Sequence, residues 1–378
     1  MTDNMIYFDN NATTKMDVEV LENMMPYLME NYGNASSKLH AFGWQAKAAV
    51  EKATNQVAKL INAEPDEIVF TSGATESVNL AIKGIFEAYQ SKGNHIVTLK
   101  TEHKAVLDVC EYLEKKKGAI VTYLDVDREG VLNIDDLKNA IISDTVLVAI
   151  MAANNETGVL QDIEAISNLC EEKGCVFFTD ATQYIGKMRC DVQEQKIHCM
   201  AFSAHKFHGP KGVGALYVRK KNPRVGLIPQ IHGGGHQHNK RSGTLNVPAI
   251  VGFGTACEIA QRDYWEINTH ISKIKNYFEH QLLDIEGLHI NGGTRNRLIT
   301  TSNILFPILP NLKKLTSKLA FSSGSACSSA NAEISHVLKA MQLEDEEVKR
   351  SFRFSFSKLN TLKEVEDSLI LIKESLSN

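Results

Sequence analysis

The sequence has no Cys-x-x-Cys pair, no long apolar run and no marked excess of one charge, and each absence removes a class of protein. Its seven cysteines (Cys110, Cys170, Cys175, Cys190, Cys199, Cys257 and Cys327) are odd in number and scattered, which argues against a disulfide framework or a zinc site. The longest apolar run, Thr145 to Ala153, is too short to span a bilayer and suits a buried strand. Forty-one basic residues against 45 acidic ones leave a net charge of −4, which gives no electrostatic case for nucleic acid or an anionic membrane. The polar start, MTDN, has no basic stretch followed by an apolar one, so no signal peptide is expected and a cytoplasmic protein is. No Gly-x-Gly-x-x-Gly follows the first strands and no Gly-x-x-x-x-Gly-Lys-Ser/Thr occurs. The nearest approach, Ala181 to Met188, lacks the first glycine and the final hydroxyl. Internal repeats and low-complexity linkers are also missing.

What is present is an ordinary soluble composition, 43% hydrophobic and 23% charged, over 378 residues, a length that favours two domains. Between about residues 65 and 220, short apolar runs (EIVFT, HIVTL, TVLVAIM, CVFFTDA, KIHCMAFSAH) alternate with amphipathic helical ones. That alternation predicts an α/β fold with a mostly parallel, doubly wound sheet. GVGALYVRK, close after a Gly/Pro turn, reads as a hairpin or edge element. Past about Gly254 the pattern changes to one long helix (255–283), short strands such as SNILF and a helical tail, which predicts a second, smaller α+β domain. IYFDNNATT is too short to stand alone and is expected to dock. The expected division is a large domain over 13–258 and a small one made of 1–12 and 259–378.

In an open α/β sheet, ligands bind beyond the carboxyl ends of the strands. Five successive strand ends carry polar side chains: Ser72 to Thr75; His103; Asn154 and Asn155; Asp180, Thr182 and Gln183; Ser203, His205 and Lys206. TSGATES, a Gly-containing turn opening a helix, makes an anion cup through free N–H groups and the helix dipole. A phosphate cup without a dinucleotide signature points to a small phosphorylated cofactor. Lys206 and Asp180 then suit pyridoxal phosphate, which needs an amine for a Schiff base and a carboxylate to keep its ring nitrogen protonated. Lys211, inside the turn GPKGVG, is the other candidate amine and is expected to be solvated.

Cys327 lies in a stretch, 322–333, with no bulky apolar side chain, so a mobile loop is expected there. Its thiol, near pKa 8.5 when free, has no lysine or arginine close by, and activation would come from the site it enters. Arg353 alternates with aromatics in SFRFSFSK, as on one face of a strand, and suits a clamp for an amino-acid carboxylate. His232, His236 and His238 lie among glycines and read as a flexible polar loop, not a metal site. Thr244, after RSG, is a further candidate phosphate contact.

With FDNNATT, GNASS, FTSGATES, TEHKAVLD, NNETG, DATQ, SAHKFHGPKG, GGGH, RSGT and SSGSACSS, nearly the whole chain resembles the cysteine desulfurases of the NifS/IscS type. These are fold-type I pyridoxal-phosphate enzymes of the class V aminotransferase family. The resemblance implies that Lys206 carries the cofactor and moves protons, Asp180 pairs with the pyridine nitrogen, and Gln183 bonds the ring hydroxyl. It further implies that His103 stacks on the ring as acid/base, while Ala74, Thr75, Ser203 and His205 hold the phosphate. Thr244 would reach the phosphate of a neighbouring subunit, making a homodimer obligatory, and Asn155 and Arg353 would orient the substrate carboxylate. Cys327 would take sulfur from L-cysteine as a persulfide, release alanine, and hand the sulfur to an acceptor protein, an Fe–S scaffold or a thiolation enzyme. No resident metal is implied, beyond transient Fe–S ligation by Cys327. The stretch before Cys327 lacks the Gly-Glu-Ser-Leu-like segment frequent in the family, which leaves the acceptor open. Two other readings stay open: a fold relative doing transamination or selenocysteine cleavage, which would not need Cys327, and a non-catalytic sulfur carrier or scaffold.

Overall fold

The computed structural model describes residues 5–293, 295–323 and 334–376. A short strand β1 (Ile6–Tyr7) leads into helices α1 (Val18–Met29) and α2 (Ala41–Leu60). Then strands and helices alternate: β2 (Ile68–Thr71), α3 (Ala74–Tyr89), β3 (His95–Leu99), α4 (Lys104–Lys117), β4 (Ile120–Leu124), α5 (Ile134–Ala140), β5 (Thr145–Ala149), α6 (Ile163–Lys173), β6 (Val176–Asp180) and β7 (Cys199–Ser203). A turn over 204–212 returns the chain as β8 (Gly214–Val218), followed by helices α7 (Val247–Arg262) and α8 (Tyr264–Leu283). The rest is β9 (His289–Asn291), β10 (Thr301–Leu305), α9 (Leu312–Thr316), β11 (Leu319–Ala320), β12 (Ser322–Ser323), α10 (His336–Ala340), α11 (Asp345–Lys349), β13 (Ser351–Ser355) and α12 (Leu362–Leu376).

Seven strands form one sheet in the order β2-β8-β7-β6-β5-β3-β4, parallel except for β8, which runs against both β2 and β7. This is the doubly wound sheet the alternation predicted, with the expected hairpin. Apart from the edge strand β4, its strands are buried along their whole length and mostly apolar because both faces are covered. In β6, Phe177 joins a core that includes Val57, Phe202 and Phe253, while its neighbour Phe178 joins the opposite one with Ile82, Ile85 and Leu216. A second sheet, β12-β13-β10-β9, is antiparallel, and its apolar side chains pack against α8 and α12 around Phe8, Phe278, Phe306, Phe352 and Phe354. Phe8 comes from the opening segment, its ring 4.8 Å from Phe356, so that segment does dock, with β1 paired to β11.

The long helix expected over 255–283 is two. Asp263, at φ −101° and ψ 15°, leaves helical geometry between α7 and α8. The first helix also starts earlier, at Val247, where Asn246 caps the Ala249 N–H and a proline occupies the first turn. Its glycines serve close packing: a Cβ on Gly254 would lie 2.4 Å from Gln56 Oε1 and 2.7 Å from Ala53 Cα of α2. Among the described residues no helix is long and apolar enough to cross a membrane.

Candidate active site

The carboxyl ends of β2, β3, β5, β6 and β7 open into one cavity of about 610 Å³. Its walls include Ala74, Thr75, His103, Asn155, Asp180, Gln183, Ser203, His205, Lys206 and Arg353, so ten of the expected site residues share one space. Asn154 does not join them. Its Oδ1 accepts from the Glu156 and Thr157 N–H groups and its Nδ2 donates to Thr101 O, so it shapes the turn that presents Asn155. Thr244 is exposed outside the cavity, and Cys327 lies outside the described residues. Of the three loop histidines, His236 accepts the Gly243 N–H at Nδ1, 3.2 Å away, and so braces its own loop.

One end of the cavity is built for an anion. Gly73 stands at the N-cap of α3 at φ 154°, a conformation that favours glycine, and no side chain caps the helix. The N–H groups of its first turn have no partner inside the helix, and Ala74 and Thr75 present theirs at the cavity wall. Arg241 grips Glu76 in this turn through two bonds, 2.7 and 3.2 Å, and Glu76 also accepts the Ser72 N–H at 2.8 Å. Burial opposes that charge, but Arg241 and Ser72 hold the Glu76 carboxyl below its usual range.

The same cavity holds the amine. Lys206 Nζ donates to Asn11 O at 2.6 Å and Ala12 O at 2.9 Å and has no ion-pair partner among the described residues. Burial and the Arg353 guanidinium push it down to about 8, against the pull of Asp180 and Asp9. Asp180, 6% exposed, closes β6 and accepts the Thr182 N–H at 2.9 Å; no helix follows, so it is not a helix cap. Burial and the neighbouring cations, Lys206 first among them, push His205 down to about 4, so its ring is neutral, with Nδ1 3.1 Å from Thr13 Oγ1. His103 caps α4 by accepting the Ala105 N–H at Nδ1, which assigns its ring proton to Nε2.

Arg353 alternates with Phe352 and Phe354 as the sequence predicts, its neighbours in the core and its own side chain at the cavity. It bonds Asp9 Oδ1 and Ser322 Oγ, each at 2.7 Å, and Asn155 O at 3.0 Å, while its Nε has no partner. Thr182 Oγ1 is likewise buried and unpartnered. Both point to a polar group that the cavity accommodates. The chain on the far side of the Cys327 stretch is fastened to the same region: Ser335 Oγ donates to Glu156 Oε2 at 2.5 Å, and His336 Nε2 lies 2.9 Å from Glu102 O.

Sequence reasoning missed Asn11 and Ala12, whose main-chain oxygens hold Lys206, and Met151, a wall residue whose N–H donates to the buried Glu102 carboxyl at 2.6 Å. The signal for the first pair is the polar run inside IYFDNNATT, which the sequence offers as a docking segment and as part of the family resemblance but not as a wall of the site.

The chain matches the aminotransferase class-V family over residues 6–367. It is 48% identical to a cysteine desulfurase IscS of Neisseria meningitidis over 98% of this chain and 92% of that protein, and 47% identical to a cysteine desulfurase IscS of Methylococcus capsulatus at the same coverage. Among solved structures, a NifS-like protein superposes at a TM-score of 0.91 with 39% identity, covering 99% of both chains. SspA in complex with cysteine superposes at 0.81 with 37% identity, over 94% of this chain and all of that one. A chain with this sheet, this cavity and these relatives belongs to the aminotransferase class-V family. Within it, the chain falls among the cysteine desulfurases of the NifS/IscS type.

Proposed function

We propose that the chain removes sulfur from L-cysteine, giving L-alanine and a persulfide on Cys327, with pyridoxal 5′-phosphate as its resident cofactor. The observation that carries this reading is Lys206. A lysine simply leaving a strand keeps a solvated ammonium near pKa 10.4, whereas this one is pushed down to about 8 in the cavity it shares with Asp180 and an uncapped helix. The unpartnered Arg353 Nε and Thr182 Oγ1 and the free first-turn N–H groups of α3 suit a phosphorylated, polar group.

When bound, pyridoxal phosphate supplies an electron sink for the substrate carbon attached to it. In this reading Asp180 keeps the ring nitrogen protonated, Gln183 donates to the ring hydroxyl, and His103 covers the ring. The N–H groups of Ala74 and Thr75, with Ser203 and His205, hold the phosphate. Lys206 binds the cofactor and carries protons to and from the substrate carbon. Arg353 and Asn155 orient the substrate carboxylate. The Cys327 sulfur attacks the substrate sulfur: an S–S bond forms, the C–S bond breaks, its electron pair stays with carbon, and a proton replaces the sulfur there.

The persulfide then passes to an acceptor protein, an iron–sulfur scaffold or a thiolation enzyme, in the cytoplasm. The chain acts as a homodimer in which Thr244 serves the neighbouring subunit. Exposed apolar side chains at Leu28, Met29, Tyr32, Leu39 and Trp44, on and between α1 and α2, support a covered face on the chain. The cofactor domain is 13–258, and 1–12 with 259–378 forms the second, carrying Cys327. The test is absorption of the purified protein in the visible range, followed by alanine and sulfide release from L-cysteine. Both products are expected from the wild type and neither from Lys206→Ala; Cys327→Ala should stop sulfur transfer. Undiminished turnover in Cys327→Ala would instead leave a pyridoxal enzyme of another specificity.

A further inference from the structure

Lys187 lies behind the cavity wall, 7% exposed, in the turn after β6. Its Nζ donates to Gln183 Oε1 at 2.6 Å and Asn11 Oδ1 at 3.1 Å. Among the described residues no carboxylate pairs with it. Burial, with the Lys206 and Arg353 charges, pushes its amine well below the usual lysine range. A buried amine without a counter-ion is costly, so its two hydrogen bonds have to be read for what they fix.

Both partners are side-chain amides, whose two ends differ only in that oxygen accepts and nitrogen donates. A lysine Nζ on this geometry gives hydrogens and therefore selects the oxygen of each. Gln183 consequently turns its Nε2 the other way, where it donates to Asn11 O at 2.9 Å. Asn11 turns its Nδ2 to Thr301 Oγ1 and Asn155 O, 2.9 and 3.1 Å away. The main-chain oxygen of Asn11, which takes Gln183 Nε2, also receives Lys206 Nζ at 2.6 Å. One side chain thus sets the polarity of two amides, one of them on the residue whose main-chain oxygen holds the cavity amine.

We propose that Lys187 is a positioning residue that locks Gln183 with its amide nitrogen toward the ring hydroxyl of the cofactor, so that this oxygen meets a donor. The inference rests on the pyridoxal reading of the cavity. Without Lys187 the amide is free to turn over and offer its oxygen instead, which disfavours the anionic form of the ring oxygen. The charged or titratable groups that feel Lys187 are Lys206, Arg353, His205 and His208, and none of them bonds Gln183.

The experiment is a pH titration of the visible absorption band of the pyridoxal-phosphate-loaded protein, in wild type, Lys187→Met, Gln183→Leu and the double variant. Methionine has similar length and no charge, so the fold is expected to hold, which a thermal melt checks. Lys187→Met should move the midpoint by on the order of one pH unit, and Lys187→Gln, which can donate or accept, by less in the same direction. In the Gln183→Leu background the Lys187→Met change should add nothing, since the two act as one unit. An unmoved midpoint in both Lys187 variants, or an equal shift with and without Gln183, would overturn the inference while leaving the cofactor in place. A wild type that takes up no pyridoxal phosphate would overturn the cofactor reading and this inference together.

Discussion

Arg353 and Asp9 meet at 2.7 Å, and the Ser322 hydroxyl closes the triangle, donating to Asp9 at 2.8 Å and accepting from Arg353. The guanidinium is thus aimed from the floor of the cavity before any substrate arrives, and its fork matters as much as its charge. Arg353→Lys keeps the charge but loses the fork. The expected result is a rise of about tenfold or more in KM for L-cysteine, with kcat changed less, read from steady-state kinetics.

Lys206 reacts as a free amine, and its amine is pushed down to about 8 by burial and by Arg353. Apoprotein should therefore take up pyridoxal phosphate at a rate that rises with pH and levels off just above 8, not above 10. Arg353→Met removes the second of those causes and should move the midpoint upward. Stopped-flow absorbance across pH 6 to 10 checks both.

Glu76 and Arg241 tie the first turn of α3 to the loop carrying Thr244. The folded Glu76 carboxyl lies below its usual range, so its contribution to stability is present above about pH 4.3 and lost as pH falls through the lowered value. Glu76→Gln should cost about 1 kcal/mol at neutral pH and low salt, less at high salt. In urea melts the gap between variant and wild type should close toward pH 3.

His198 is 2% exposed, and its Nδ1 accepts the Phe177 N–H at 2.9 Å. Burial, helped by Arg219, pushes it down to about 4, so between pH 6.5 and 4 the unfolded chain binds a proton that the folded one refuses. Stability should fall with pH across that window, with a slope on the order of 1 kcal/mol per unit from this ring. His198→Gln removes the titration, so its stability deficit against wild type should narrow as pH drops, a trend urea midpoints will show.

The sheet was legible because its strands are buried on both faces, so continuous apolar runs announced them. Strand β4 was not, although Ile120–Leu124 is as apolar as β3; it lies at the sheet edge, only partly buried, and helices α1 and α2 went unread because they lie before the alternating stretch. The strand ends were legible because polar side chains stop each apolar run abruptly. Asn154 was misread for the same reason: a turn-forming asparagine and a cavity-lining one look alike until the fold separates Asn154 from Asn155. Lys187 carries no local signal, and Asn11 only that of a short polar run. Their meaning lies in hydrogen bonds between positions 176 residues apart, which periodicity cannot reach.

Asn10 and Asn11 are bonded to Ser355, which follows them by about 345 positions: the Asn11 N–H reaches Ser355 Oγ at 2.9 Å and Asn10 Nδ2 reaches Ser355 O at 2.8 Å. A chain growing from its amino end therefore carries the rest for Lys206 long before it owns the strand that fixes that rest in place. The seat of the cavity amine is therefore completed only by a strand near the carboxyl end, so its geometry depends on the whole chain.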